Sequence, residues 1–218
     1  MQKRSDQTRQ ALVRAAAELI ANGRFADAGL VNICRRAGVS RGALYHHFSS
    51  TAELMAEVYA QAQARTAVLA EQAFAGAGAE APARFSIALG AAMREEYLVR
   101  AGMQVGPDGT DGPPRLRDEL LALVHDRVTQ GAPGAAEPAD LAGLSDLGEL
   151  SDLGEIGAHR EIGELAEPAD LADLADLAVV VTAGLESLGY TDSTWWDPKT
   201  TGRIWDTLRP LFAAADQN

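Results

Sequence analysis

The arrangement that most narrows the fold is a pair of short helical patterns joined by three residues. Leu30, Ile33, Cys34 and Ala37 stand at i, i+3, i+4 and i+7, the stripe of an amphipathic helix. Gly38 then supplies a residue tolerant of left-handed backbone, and Ser40 offers the hydroxyl that caps a new helix. On that helix Leu44 and Phe48 share one side, at i, i+4, and can pack on Ile33 and Leu19. Two short helices tied this tightly meet at an angle with their apolar sides inward, which predicts a helix-turn-helix over about residues 29–48.

The rest of the chain also reads as helix. Its apolar residues are mostly Ala and Leu, and no strand-like alternation of useful length occurs. A first helix is expected from about Ser5 to Asn22, on Leu12, Ala15, Ala16, Leu19 and Ile20, ending at Gly23. Ser50 and Glu53 stand at capping-box spacing and open a long fourth helix through Leu54, Val58, Ala62 and Leu69. After the AGAGAEAP linker the pattern predicts one helix over about 83–100, then a breaker-rich loop and a helix holding Leu116, Leu120, Leu123, Val124 and Val128. Two apolar helices, 169–189 and 199–215, close the chain around GYTDSTWWDP. The expected fold is all-α: a three-helix head, residues 1–50, and a larger helical body, residues 51–218.

Charge divides the chain. Residues 1–50 hold eight cations against three carboxylates, a net of +5, inside a chain whose total is −12. Residues 131–178 hold twelve carboxylates and only Arg160 as a cation. There AEPADLAGLSDL (136–147) recurs as AEPADLADLADL (166–177), identical at ten of twelve positions, the mark of an internal duplication. Its Leu and Ile residues fall every third position, whereas a helix turns about 100° per residue, so the apolar row spirals and makes no seam. The first copy is therefore expected to pack poorly, and two copies are too few for a solenoid.

On a helix begun by Ser40, the side opposite Leu44 and Phe48 carries Gly42, Ala43 and His46, flanked by Arg41, Tyr45 and His47. Such a helix is slim in the middle and hydrogen-bonding at its rims, which suits a major groove about 12 Å wide. Arg41 can address guanine with both guanidinium arms, while Tyr45, His46 and His47 suit phosphate oxygens. Lys3 and Arg4 form a basic arm ahead, and Thr51 opens the following helix. Alternatively Tyr45 and the histidines are a solvated surface. A metal site at His46 and His47 is disfavoured, because neighbouring helical side chains diverge by about 100°.

Together TRQALVRAAAELI (8–20), Gly23, Phe25, Ile33, AGVSRGALYHHF (37–48) and Glu53-Leu54 resemble the TetR-type transcriptional regulators, specifically over about residues 8–60. The resemblance implies an all-helical homodimer, a DNA-binding head and a body that binds a small effector, most often in a repressor released by that effector. Two positions depart from the pattern. Gly29 stands where the second helix commonly opens on Ser or Thr, and Thr51 where Lys is usual; the second change removes one ionic phosphate contact and predicts a shallower salt dependence.

Two heads related by a two-fold axis read a palindrome, so a homodimer is expected. Its interface is placed on the terminal helices, at Leu174, Leu177, Val181, Leu185, Leu188, Ile204, Leu208 and Phe212; the same stripes can instead face their own core. An effector pocket is placed at Met93, Tyr97, Leu120, Val124, Trp195 and Trp196, with Glu96 and Arg100 as polar anchors, all of which also suit ordinary core. No P-loop, GxSxG, HExxH or CxxC occurs and His46, His47, His125 and His159 form no triad pattern, so no enzyme, cofactor or metal is expected. A competing reading has the acidic repeat engage a partner protein while the head binds DNA weakly and without sequence preference. Cys34 has no disulfide partner, and the longest uncharged apolar run, 177–185, is short of the roughly 20 residues of a membrane span. Both favour the cytoplasm and no membrane partner.

Overall fold

Within the expected span of the first helix, the period of the apolar residues is realised in full. The computed structural model describes residues 2–23, 29–75, 78–105, 115–130 and 170–215. Among these every regular element is helical, as the composition led one to expect. Helix α1 (Gln2–Ala21) buries Leu12, Ala15, Ala16, Leu19 and Ile20. It opens earlier than expected, so Lys3 and Arg4 lie in its first turn.

Helix α2 (Leu30–Ala37) ends at Gly38, whose φ of 68° is left-handed, and the Gly38 and Val39 amides close on the carbonyls of Arg35 and Cys34. Ser40 caps α3 (Arg41–His47) by accepting from the Ala43 amide at 3.2 Å. Phe48 is not in the helix but caps its end in extended backbone, and its ring is buried. Ser50 then caps α4 (Thr51–Phe74) through the Glu53 amide, 3.1 Å, while the Glu53 carboxylate takes the Ser49 amide and hydroxyl at 2.6 Å. Those Ser49 bonds hold the Glu53 carboxyl below its ordinary range.

The helix expected over 83–100 is two. Helix α5 (Ala81–Glu95) stops at Glu96, which is extended, and α6 (Tyr97–Gln104) starts beyond it. Two arginines hold the break, one of them remote in sequence. Arg65 of α4 grips the Glu96 carboxylate with Nε and Nη2 at 2.7–3.1 Å. Arg100, from α6, donates Nη1 to the Met93 and Arg94 carbonyls at 2.6 and 3.2 Å, acceptors that the break in α5 leaves without helical donors.

Helices α7 (Leu116–Gln130), α8 (Leu171–Gly189) and α9 (Pro198–Ala215) complete the body, with a 3₁₀ turn over Ser193–Trp196 between the last two. Residues 131–169, most of the duplicated segment, lie outside the described residues; the end of the second copy forms the start of α8 and buries Leu174.

Two apolar cores result. One joins α1, α2 and α3 and also takes Leu54 and Val58 of α4 and Ala101 of α6, so the head's packing does not stop at residue 50. The other fills the body with Phe85, Met93, Val99, Leu120, Val124, Trp205 and Phe212. Helix α6 thus places Val99 in one core and Ala101 in the other. Its approach to α4 is close: a Cβ on Gly102 would stand 2.2 Å from the Ala62 Cβ.

Candidate nucleic-acid interface and body cavity

Helix α3 buries only Leu44 among its seven residues. Arg41, Gly42, Tyr45 and His46 are exposed, Tyr45 by 51%, and Ala43 and His47 are half-buried. A side chain added at Gly42 would meet nothing nearer than the Ser40 hydroxyl at 3.9 Å, so the first turn of this helix is open there. The two imidazoles meet edge to face with centroids 5.3 Å apart. Thr51, half-buried, opens α4 just beyond the Ser49-Ser50 joint. The residues assigned to DNA on α3 are therefore all accessible, Ala43 and His47 in part.

The charge count of the head overstates its free cations. Arg36 is paired with Glu18, its Nε 2.8 Å from one carboxylate oxygen. Arg9 forks onto Glu57 with both bonds at 2.6 Å. Arg14, Arg35 and Arg41 carry no carboxylate partner among the described residues and keep their charge for the exterior.

The Arg9–Glu57 pair matters for the site although no local pattern pointed to it. The guanidinium lies 5.0 Å from the Phe48 ring centroid, so α1, the end of α3 and α4 are fastened at one point. Arg9's hydrogen bonds, against the opposing effect of burial, hold the Glu57 carboxyl below its ordinary 4.5. A depressed carboxylate contributes stability that is present above its unfolded value and is lost as pH falls through the folded one. We expect Tm to decline as pH drops below about 4.5, with a shallower decline in Glu57→Gln; parallel Tm profiles for the two proteins would contradict the role.

The residues assigned to an effector pocket differ in exposure and in what they contact. Leu120 and Val124 are buried in the body core, Tyr97 is 42% exposed, and Glu96 and Arg100 hold the α5–α6 break. Trp195 is half-buried, and its carbonyl accepts from the Thr201 hydroxyl at 3.2 Å. Met93 and Trp196 line a cavity of about 10 Å³ between α5, α8 and the 3₁₀ turn. Sequence reasoning missed its polar lining. Ser86 and Thr182 share a buried hydrogen bond of 2.9 Å, and Glu186 accepts from Arg117 Nε at 2.9 Å. These partners lie as much as 96 residues apart, out of reach of any local pattern.

The residues assigned to the interface are divided. Leu174, Leu185 and Phe212 are buried in their own core; Leu177, Val181, Ile204 and Leu208 are half-buried, and Leu188 is exposed. Val180 and Leu211, unassigned, are exposed by 66% and 48%. No helix of the described residues is long and apolar enough to cross a membrane, and no group of three or more potential ligands for a metal ion occurs among them.

Residues 12–58 match the model of the bacterial regulatory proteins of the tetR family. A stretch of 59 residues is 41% identical to the HTH-type transcriptional regulator SrpR of Pseudomonas putida, covering 27% of this chain and 28% of that one. A second relative from Pseudomonas putida, the uncharacterized HTH-type transcriptional regulator TtgW, is 42% identical over 57 residues, 26% of this chain and 42% of its own length. The chain thus aligns with less than half of either relative. The whole fold is similar to that of CprB from Streptomyces coelicolor, solved with its operator sequence, at a TM-score of 0.63 and 20% identity over 95% of this chain and 88% of that one. It is equally similar to a gamma-butyrolactone receptor (ArpA like protein), at 0.64 and 19% over 98% of each chain.

Proposed function

We propose that this chain, a DNA-binding transcriptional regulator of the TetR type by its head, is a homodimeric repressor that grips a palindromic operator and is released by a small molecule bound in the body. The observation that carries the reading is α3: a helix with one buried residue, an open glycine in its first turn and hydrogen-bonding groups exposed along it. Nothing in the interior requires Arg41, Tyr45 or His46 there.

Dimerisation rests on the outer faces of α8 and α9. Val180, Gly184 and Leu188 follow each other at four-residue steps on α8, with open space at Gly184, and Leu211 is exposed on α9. A second copy laid across this face removes the apolar groups from water. The half-buried Leu177, Val181, Ile204 and Leu208 support the same edge. Release requires an effector that binds better when the heads are wrongly spaced for DNA, since only differential affinity moves an equilibrium. Helices α4 and α6, which take part in both cores, are the connection through which the body acts. The likeness in fold to an operator-bound regulator and to a receptor supports both halves of the reading.

Selection of bound fragments from random DNA tests it, and an inverted repeat is the expected product. On that repeat Arg41→Ala is expected to relax preference at one base pair by about 1–3 kcal/mol, whereas Tyr45→Phe weakens all sequences alike. Equal losses on every sequence for both variants would contradict this division of roles.

A further inference from the structure

We propose that Glu119 of α7 is a positioning residue for DNA binding: by holding Tyr59 and Gln63 it sets the angle at which α4 carries the head, and with it the half-site separation that the dimer accepts. This rests on the dimeric reading above and deepens it.

The contact about which α4 can turn is small. Ala62 presents its methyl group to Gly102 of α6, so closely that a Cβ on Gly102 would stand 2.2 Å from it, and Leu116 of α7 reaches the same point, 3.2 Å from that Cβ. Thr66, one turn on, is buried too, but its hydroxyl turns back to the Ala62 and Gln63 carbonyls at 3.1 and 3.0 Å. From Ala62 to Thr66 the buried side of α4 therefore offers methyl groups and no long side chain to interlock with its neighbours. Such a surface fixes the distance between helices better than the angle between them.

The angle is held from the sides. At about 100° per residue, Tyr59 and Gln63 lie to one side of the Ala62 line and Arg65 to the other. On the first side both groups reach one carboxylate: Gln63 Nε2 donates to Glu119 Oε2 at 2.7 Å, and the Tyr59 hydroxyl donates to Glu119 as well. Burial first, and then that carboxylate, push the Tyr59 phenol up to about 12, so it stays a donor at neutral pH. On the second side Arg65 grips Glu96 at the α5–α6 break. Glu119 follows Leu116 by three residues on the same side of α7, so the carboxylate is anchored beside the contact it braces.

Leverage makes a small change of angle matter. From Ala62 to Thr51 α4 runs about 16 Å, so a tilt of about 10° displaces its start by about 3 Å, close to the rise of roughly 3.4 Å per base pair. The head follows, because Leu54 and Val58 lie in its core and Arg9 of α1 is forked onto Glu57. In a two-headed complex such a displacement decides which spacing of half-sites both α3 helices can reach. The Gln63–Glu119 bond is exposed, where its contribution to stability is small, so its removal reports on orientation more than on folding.

The test uses the full chain and the inverted repeat selected from random DNA, with its centre shortened or lengthened by one base pair, beside a duplex that holds a single half-site. Glu119→Ala, and separately Tyr59→Phe combined with Gln63→Leu, are each expected to flatten the dependence on spacing. The parent's preference for its own spacing over the altered ones should fall about five- to tenfold, the scale of the hydrogen bonds removed, while affinity for the single half-site and Tm stay close to the parent's. Glu119→Gln retains an oxygen that accepts from both donors and is expected to keep most of the preference. Spacing profiles that match the parent's in both Glu119→Ala and the double variant, or losses equal on every spacing and on the half-site, would overturn the positioning role. Sedimentation keeps the two readings apart. A dimer on an inverted repeat whose spacing preference ignores Glu119 defeats this inference alone, whereas a monomer, or selection of unpaired half-sites, defeats the dimeric reading and this inference with it.

Discussion

Gly42→Glu is expected to abolish operator binding while leaving the fold intact. The position is free of neighbours, the nearest being the Ser40 hydroxyl at 3.9 Å, so a larger side chain meets no packing penalty. The same opening is where α3 meets the floor of a groove in the proposed complex. A carboxylate there adds bulk at the point of closest approach and puts a negative charge among phosphates, an unfavourable pairing worth several kcal/mol in complexes generally. The loss of affinity is expected to reach on the order of 100-fold or more per dimer, since both heads carry the change. Gly42→Ala serves as the control. It fits the same space, raises helix propensity by about 1 kcal/mol, and should melt no lower than the parent. A glutamate variant that binds the selected operator as tightly as the parent would remove α3 from the interface.

Gly102→Ala has the opposite character, a minimal change with a large expected effect on stability. The new Cβ would lie 2.2 Å from the Ala62 Cβ and 3.2 Å from Leu116 Cδ2. Ala62 is buried on α4 and has no rotamer by which to yield, so the helices themselves must separate. Overpacking of this kind costs about 1–3 kcal/mol, which lowers Tm by several degrees in a chain of this size. Ala62→Gly in the same chain removes the clashing atom and should restore most of the loss. An unshifted Tm for the single variant would show that α4 and α6 are not in the contact described.

How much of this was legible depended on the distance between interacting residues. The turn from α2 to α3 was readable because all its parts are neighbours: Gly38 with its left-handed φ of 68°, and Ser40 capping three residues ahead. Leu44 and Phe48 were placed inward by spacing alone, and both are buried. The break at Glu96 was not readable, because Phe85, Leu89 and Met93 continue a helical period to Tyr97, and the residue that grips Glu96 is Arg65, 31 positions earlier. Arg9 and Glu57 are 48 apart, and the Ser86–Thr182 pair twice as far. Amphipathic periodicity says which side of a helix is covered and nothing about what covers it. Leu120 and Val124, assigned to a pocket lining on their period, are buried in the body core.

Val99 and Ala101, two residues apart on α6, belong to different cores, and so do Val58 and Ala62 of α4. The head and body are therefore not built to melt separately. A fragment ending near residue 60 would lack Ala101 and leave a hole in the packing of α1, and it should exchange its amide hydrogens with solvent far faster than the same residues do in the intact chain. In the whole protein, protection of α1 amides should follow the loosening of α6, so deuterium uptake at the end proposed to face DNA reports on events at the far end.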